Sequence, residues 1–394
     1  MLEILFWLGI SIVVYTYIGY GLVITFLAKL FPARGKRDGD KEPAVSLIVA
    51  AWNEADWIEQ KAENMLALDY PPEKMQIIFV TDGSDDGTPQ KLEKYADRFT
   101  LLHKDERAGK IAAMERAVTY AENPILIFSD ANAMLNPEAV RNIVKHYEDQ
   151  NVGAVAGEKR ILMEEEESAS GAGEGIYWKY EGYLKARDYE FYSVVGAAGE
   201  LFSVRRELFE PVEPDTLLDD FIISLRVASR GYRVAYAPEA FASERPSADS
   251  SAEMKRKVRI SAGGLQSIVR LRHLLNPFGQ FKLWFQYVSH RVLRWTLAPL
   301  MLPLILLSNI FLVLYTPSAD TILPVYFYQF ILVAQLLFYT FALGGYILEK
   351  KKMRAKILFV PFYFTFMNIS VFLGLKRFLK GSQTVIWERA ERAK

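Results

Sequence analysis

The sequence contains no cysteine, which excludes disulfides, thiolate metal sites and cysteine nucleophiles. It has only four histidines, at positions 103, 146, 273 and 290, and their scatter does not suggest a zinc site. An excess of one charge is also missing. Forty-seven Lys and Arg balance 47 Asp and Glu, and a net charge of zero argues against a nucleic-acid-binding surface as the main function. The balance hides a split: acidic residues crowd the middle of the chain, while Lys and Arg flank its apolar ends.

What the chain has is apolar length. Its 394 residues are 51% hydrophobic, enough for a globular domain of ordinary size and a few membrane helices. Residues 4–28 carry no charge and exceed the roughly 20 residues that cross a bilayer. Glu3 stands where a cleaved leader would be basic, and the run is too long for a typical signal-peptide core. Lys29, Arg34, Lys36 and Arg37 follow at once, which places this end in the cytoplasm by the positive-inside rule. Residues 295–315 and 322–348 are two further spans. Their connector, 316–321, has no basic residue, as expected outside, and the Lys-rich stretch 349–356 returns inside. The last run, 357–375, is in conflict with that rule. If it crosses, a tail with Lys376, Arg377, Lys380, Arg389 and Arg392 lies outside; the competing reading is a re-entrant or interfacial segment bent near Pro361.

These runs divide the chain into an N-terminal membrane helix (1–30), a cytosolic domain (43–250), amphipathic interface helices (251–291), C-terminal membrane helices (292–380) and a basic tail (381–394). In the interface region, Val258, Ala262, Leu265, Ile268, Val269 and Leu275 fall near helical spacing, opposite Arg256, Arg259, Arg270 and His273. A basic amphipathic helix of this kind lies in the membrane interface, and an ordinary surface helix is the alternative. In the cytosolic domain, Val45–Ala51, Gln76–Val80 and Ile125–Phe128 read as buried strands, and Glu54–Leu68 and Gln90–Phe99 as helices. That alternation predicts a parallel sheet covered on both faces, with ligands at the carboxyl ends of the strands. Residues 163–175, rich in Glu, Gly, Ser and Ala, read as a solvated flexible loop.

Four polar stations punctuate this pattern. Asp82-Gly83-Ser84-Asp85-Asp86-Gly87-Thr88 is equally a helix cap with its turn or a nucleotide contact. Asp130-Ala131-Asn132 puts two side-chain oxygens two residues apart, which suits Mg²⁺ or Mn²⁺ held jointly with substrate phosphates; a capping turn is the alternative. Arg107-Ala108-Gly109-Lys110 sets a cationic loop before a helix, suited to a diphosphate or present as a plain surface charge pair. Asp219-Asp220 opens a helix, either as dipole partners or as a general base tuned by a crowded site.

In this order the stations resemble the membrane-associated family 2 glycosyltransferases, a group that includes cellulose, hyaluronan and poly-N-acetylglucosamine synthases and ceramide-type glucosyltransferases. The resemblance covers residues 43–275 motif by motif and the flanking spans in architecture. It implies an α/β GT-A-type, Rossmann-like cytosolic domain beside α-helical transmembrane segments. It implies donor contacts from Asn53, Glu54, Asp82 (to the nucleobase), Lys110, Asp130, Arg256 and Arg259, and a metal held by Asp130 and Asn132. Gly196-Ala197-Ala198-Gly199, followed by Arg205-Arg206, resembles the acceptor-side segment, and Gly199, Glu200 and Trp178 are the acceptor candidates. Leu218-Asp219-Asp220 stands where the family has Thr-Glu-Asp, which assigns the base to Asp220 with Asp219 beside it.

Two departures matter. Asn132 replaces the second acid of the metal motif, and Ile260 replaces the tryptophan of the Gln-x-x-Arg-Trp motif, which here reads Arg256-Lys257-Val258-Arg259-Ile260. Ile260 cannot stack on a sugar ring, which puts processive polymerisation in doubt. The resemblance implies inverting, Mg²⁺- or Mn²⁺-dependent transfer from a UDP-sugar to a lipid-linked or polysaccharide acceptor at the cytoplasmic face of a bacterial or archaeal plasma membrane. A processive synthase, joined by polysaccharide-export subunits, is one alternative. A non-catalytic membrane scaffold with a degenerate nucleotide-sugar fold is another. The partners expected are donor, acceptor and membrane lipids, with no nucleic acid.

Overall fold

A computed structural model describes residues 2–33, 41–162, 169–247, 249–315, 321–351 and 356–381. Arg34, Lys36 and Arg37, the run 163–168, the connector 316–320, residues 352–355 and the tail from 382 onward lie outside the described residues. The chain builds one eight-stranded sheet in the order β3-β2-β1-β4-β7-β6-β8-β5. Its strands are β1 (Val45–Ala51), β2 (Met75–Asp82), β3 (Thr100–Lys104), β4 (Ile125–Asp130), β5 (Met134–Leu135), β6 (Val152–Ile161), β7 (Leu201–Arg205) and β8 (Arg233–Glu244). β1 is buried along its whole length, as are the apolar stretches of β2 and β4, because helices cover both faces.

The expectation of a parallel sheet holds for β1 to β4 and fails beyond. β7 runs antiparallel to both β4 and β6, β6 and β8 are parallel, and β5 pairs antiparallel with β8. The sheet is therefore mixed. Phe202 of β7 stacks on Phe128 of β4 with ring centroids 4.9 Å apart, so burial of aromatic area closes this antiparallel seam. Two helices are shorter than read. The first is Ile58–Leu66, because the backbone N–H groups of Glu54 and Ala55 bond to the Thr88 hydroxyl and the Asp86 carboxylate instead of starting a helix. The second is Thr88–Glu93, with turns to Phe99. Residues 169–175, read as loop, open the helix Ala169–Phe191; extending a packed helix by two turns costs little once it is nucleated.

Among the described residues, four helices are long and apolar enough to cross a membrane: Leu2–Leu30, Leu297–Tyr315, Val325–Lys350 and Ile357–Leu379. Phe6 of the first packs against Ile305 and Leu312 of the second and Tyr328 of the third. The helix Lys356–Leu379 continues through Pro361. The amphipathic segment is the helix Ser250–Arg270, but its most buried stripe is Glu253, Lys257, Ser261, Gly264 and Ser267 rather than the apolar one. Val269 is 57% exposed and Val258 and Leu265 are half-buried. Close approach decides this around its middle: a Cβ on Gly374 would lie 2.6 Å from Ser261, and one on Gly264 would lie 2.4 Å from the Trp295 ring, so small residues occupy those positions.

Candidate active site

The register places Asp130 beside Ala50 and Thr81 beside Ala51, so β1, β2 and β4 end together. Asp82, the last residue of β2, is 1% exposed. Its Oδ2 accepts hydrogen bonds from the backbone N–H groups of Ala108 (2.9 Å) and Gly109 (2.6 Å). Gly109 has φ of 95°, a region open to glycine, and this turns the chain so that Lys110 begins the helix Lys110–Tyr120. Asp82 thus lies behind the crevice wall and ties down the loop that presents Lys110. Asn53, at φ 52°, likewise faces a neighbouring loop: its amide donates to Asp85 Oδ1 (2.7 Å) and its Oδ1 accepts from the Asp85 N–H (3.0 Å). Asp86 binds the Ala55 N–H and Thr88, and although burial raises its carboxyl, these hydrogen bonds hold it below the ordinary value. The Asp85–Thr88 turn therefore joins two strand-end loops. Trp52 and Glu54 reach the crevice, with the Arg107 guanidinium 3.4 Å above the Trp52 ring.

Lys110 is the hub. Its Nζ lies 3.0 Å from Asp130 Oδ1 and 3.6 Å from Asp219 Oδ2. Burial alone would lower its ammonium, but the charges of Asp130, Asp219 and Asp220 outweigh this and hold it above the ordinary value. Asp219 and Asp220 open the helix Asp219–Ser229, and a Cβ on Gly199 would sit 3.7 Å from both the Asp220 carboxylate and the Lys110 Nζ. Burial first, then the neighbouring Asp219 charge and Glu200, push the Asp220 carboxyl up to about 7 against the pull of Lys110. Asp130 is also raised, by burial and by Glu200 and Glu244, with Lys110 opposing.

Sequence reasoning missed the cations that hold this ring of acids together. Buried Lys159 bridges Glu200 and Glu244 (2.6 Å to the latter), and this keeps Glu200 far below the carboxylate range despite its burial. Buried Lys61 donates to Ser129 Oγ at 2.7 Å and to the Ala133 carbonyl, beneath the Asp130–Asn132 turn; burial pushes it down to about 7 against the charges of Asp130 and Glu244. Arg256 forms a bidentate pair with buried Glu253 (2.9 and 3.1 Å), and Arg259 donates to the Leu217 carbonyl at 3.1 Å. Local spacing gives no hint of Lys159 or Lys61, because their partners are remote in sequence.

Asp130 and Asn132 offer hard oxygen atoms to a divalent cation, and the Lys110 ammonium already stands against Asp130 as a positive group. Among the described residues, no three His, Asp or Glu side chains cluster to hold a metal by themselves. The residues thus fit a cation that completes its shell with phosphate oxygens and water, the usual habit of Mg²⁺.

A single cavity of about 680 Å³ collects these groups. It runs from Trp52, Lys110, Asp130 and Asn132 past Gly199, Glu200 and Asp220 to the membrane-side helices. Arg256, Arg259 and Ile260 line it, and Trp178 and Trp295 supply indole rings where Ile260 cannot. Tyr180 lines it as well, whereas Tyr183 is exposed outside it. Asn53 and Asp82 are not among the residues that line it.

Residues 46–212 match the family model described as Glycosyl transferase family 2. Poly-beta-1,6-N-acetyl-D-glucosamine synthase of Staphylococcus aureus is 27% identical over 239 residues, which is 59% of this chain and 57% of that protein. The match therefore spans little more than half the length of that relative. A Bacillus subtilis protein named "Probable glycosyltransferase YdaM" is 24% identical over 385 residues, 90% of this chain and 89% of that protein. Among solved structures, mannosyltransferase PcManGT from Pyrobaculum calidifontis, in complex with GDP-Man and Mn²⁺, has a TM-score of 0.68 at 22% identity and covers 96% of this chain and 99% of its own. The shared fold is of the GT-A type, with a mixed, Rossmann-like sheet.

Proposed function

We propose that this chain, which belongs to the family 2 glycosyltransferases, moves a sugar from a nucleotide-diphosphate donor, a UDP-sugar by resemblance, to a hydroxyl that reaches the site from the membrane side. The observation that carries this reading is one cavity with Lys110, Asp130 and Asn132 at its strand end, Asp220 at its middle and apolar helices at its far end. Trp52, backed by Arg107, offers the nucleobase a stacking face, and Asp82 serves the donor by fixing the Lys110 loop. Lys110 and Arg259 receive the diphosphate, with Arg256 beside them. A divalent cation held by Asp130 and Asn132 would neutralise charge on the departing diphosphate.

Asp220 is the base. Its carboxylate takes the proton of the acceptor hydroxyl while that oxygen bonds to the anomeric carbon and the bond to the diphosphate oxygen breaks. A base with a pKa near neutrality is matched to this task, and desolvation beside Asp219 supplies that value. Attack from the side opposite the nucleotide inverts the anomeric centre. Gly199, lacking a side chain, leaves room beside the carboxylate, and Trp178 offers a ring to an acceptor sugar. The setting that fits this chemistry is the cytoplasmic face of a plasma membrane.

The test is turnover by the purified chain against a panel of labelled UDP- and GDP-sugars with Mn²⁺ or Mg²⁺. Transfer or hydrolysis of one donor is expected; no donor bound or consumed would refute the enzyme and leave the scaffold reading. A second reading, chain extension, is favoured by the match to a poly-N-acetylglucosamine synthase. Product length separates single addition from polymerisation, and export subunits belong only to the latter.

A further inference from the structure

The cavity continues beyond Asp220, and its charge changes sign there. Six carboxylates line the donor half, Glu54, Asp130, Glu200, Asp219, Asp220 and Glu244, and outnumber its cations Lys110, Arg256 and Arg259. In the membrane-side half, Lys185, Lys257, Arg291 and Arg294 line it against one carboxylate, Glu181. That carboxylate is already engaged. Arg291 Nη2 lies 2.5 Å from Glu181 Oε1, Arg294 Nη1 lies 3.2 Å from Oε2, and His290 Nε2 lies 3.4 Å away. Burial would raise its carboxyl, but Arg291, His290 and Arg294 hold it well below the usual range, so one negative charge is shared by two guanidinium groups.

Donors are left over. Lys185 is 2% exposed, and its Nζ makes no hydrogen bond among the described residues; it lies 5.8 Å from the centroid of the Trp178 ring and 6.0 Å from that of Tyr236. Glu158, whose charge also acts on Lys185, accepts the Tyr236 hydroxyl at 2.5 Å. Arg294 Nε and Nη2 are buried and have no hydrogen-bond partner among the described residues either. Burying cationic donors without acceptors costs several kcal/mol, so such groups mark a place where an anion belongs. Past them the lining turns aromatic and apolar along the helix Lys356–Leu379, at Phe359, Tyr363, Phe364 and Met367. A cationic waist followed by an apolar exit between candidate membrane helices has the chemistry of a lipid with a phosphate at its head.

We propose that Lys185 and Arg294, backed by Arg291, form a subsite for the phosphate of a phosphate-bearing lipid, whose apolar chain lies along the helix Lys356–Leu379. On the glycosyl-transfer reading, on which this rests for the ligand's role, that lipid is the acceptor. Arg291 lies 5.9 Å from the ring of Phe221, which follows Asp220 in sequence, so the subsite borders the element that carries the base.

The test uses the full chain in a phosphate-free maltoside detergent and follows tryptophan fluorescence, since Trp178 and Trp295 line the cavity. Dodecyl phosphate, dodecanol and inorganic phosphate are titrated separately. Dodecyl phosphate should bind at least tenfold more tightly than either of the others. Lys185→Gln and Arg294→Gln should each weaken it about tenfold, with Arg294→Lys restoring most of the loss. UDP and GDP binding with Mn²⁺, measured on the same samples, reports separately on the donor site, so failure there leaves the lipid result standing. Equal binding of dodecanol makes the cavity a plain apolar groove and overturns the proposal. Equal binding of inorganic phosphate makes it a free-anion site and overturns the lipid assignment. Folded Lys185→Gln and Arg294→Gln proteins that both bind dodecyl phosphate like the parent also overturn it.

Discussion

Replacing Asp220 by Asn should damage catalysis and strengthen the fold at once. The side chain keeps its shape but loses the charge that burial, Asp219 and Glu200 oppose. Its folded pKa, about 7, lies above the ordinary 3.8, so ionising it costs folding free energy. That cost is absent below about pH 4, where both states are protonated, and is fully present above about pH 7. Three pH units at about 1.36 kcal/mol each set an upper limit of about 4 kcal/mol. Residual solvent access and readjustment of Lys110 reduce the expected gain to about 1–2 kcal/mol, or a few degrees in Tm. Thermal unfolding at pH 8 and pH 4 measures this: the variant should melt higher at pH 8, and the difference should shrink to a small remainder at pH 4. In parallel, kcat should fall about a hundredfold or more while the Kd for donor changes little, and the parent's kcat/KM should rise with pH to a plateau above about 7. A variant that melts no higher at pH 8, or that turns over within tenfold of the parent, would refute the assignment of a strained, buried base.

Gly196→Ala should lower both stability and turnover. Gly196 has φ of 91°, and a Cβ there would lie 2.1 Å from the Phe221 ring, so a loss above about 2 kcal/mol in denaturant unfolding is expected, with Asp220 displaced by its neighbour. Lys159→Met removes the buried ammonium that Glu200 and Glu244 share and should cost about 3–5 kcal/mol, read as a fall in Tm that shrinks as acid protonates the two carboxylates. Chelation with EDTA should abolish sugar transfer, and Mn²⁺ or Mg²⁺ should restore it; full activity in EDTA would remove the metal from the Asp130–Asn132 site.

The parts of the site that were legible in the sequence share one property: each lies where local patterning changes. Asp82 and Asp130 end apolar strands, and Lys110 and Asp220 start helices, so position and chemistry could be read from neighbours within a few residues. The parts that were not legible depend on distant partners. Lys159 meets Glu200 at a separation of 41 residues and Glu244 at 85, and Lys61 meets Ser129 at 68. The mixed sheet escaped for a similar reason, since β7 inserts between β4 and β6 and its pairing is set by packing such as Phe202 on Phe128. The side by which the interface helix packs on the protein was not legible either, since it is set by Trp295 and Gly374, which approach Gly264 and Ser261 from remote parts of the chain.

The two ends of the cavity are mechanically joined at one residue. Phe221 follows the base, and its ring packs edge-on to Trp295 at 5.3 Å, tilted on Tyr287 at 6.5 Å and below Arg291 at 5.9 Å. Gly196 closes on its other side, so the ring cannot shift without carrying the first turn of the helix Asp219–Ser229 with it. Arg291 and Arg294 share Glu181, and Arg291 also donates to the Val195 carbonyl at 2.9 Å, next to that same glycine. A group that binds Arg294 therefore acts on the partner of Arg291, and through it on the packing that sets the base. Lys185 has no such link: its ring contacts are with Trp178 and Tyr236. Substituting Arg294 should accordingly change kcat as well as acceptor KM, whereas Lys185→Gln should raise acceptor KM and leave kcat near the parent value. Equal effects of the two substitutions on kcat would mean that the cationic waist only binds, and that the base is held by Phe221 independently of what occupies the cavity beneath it.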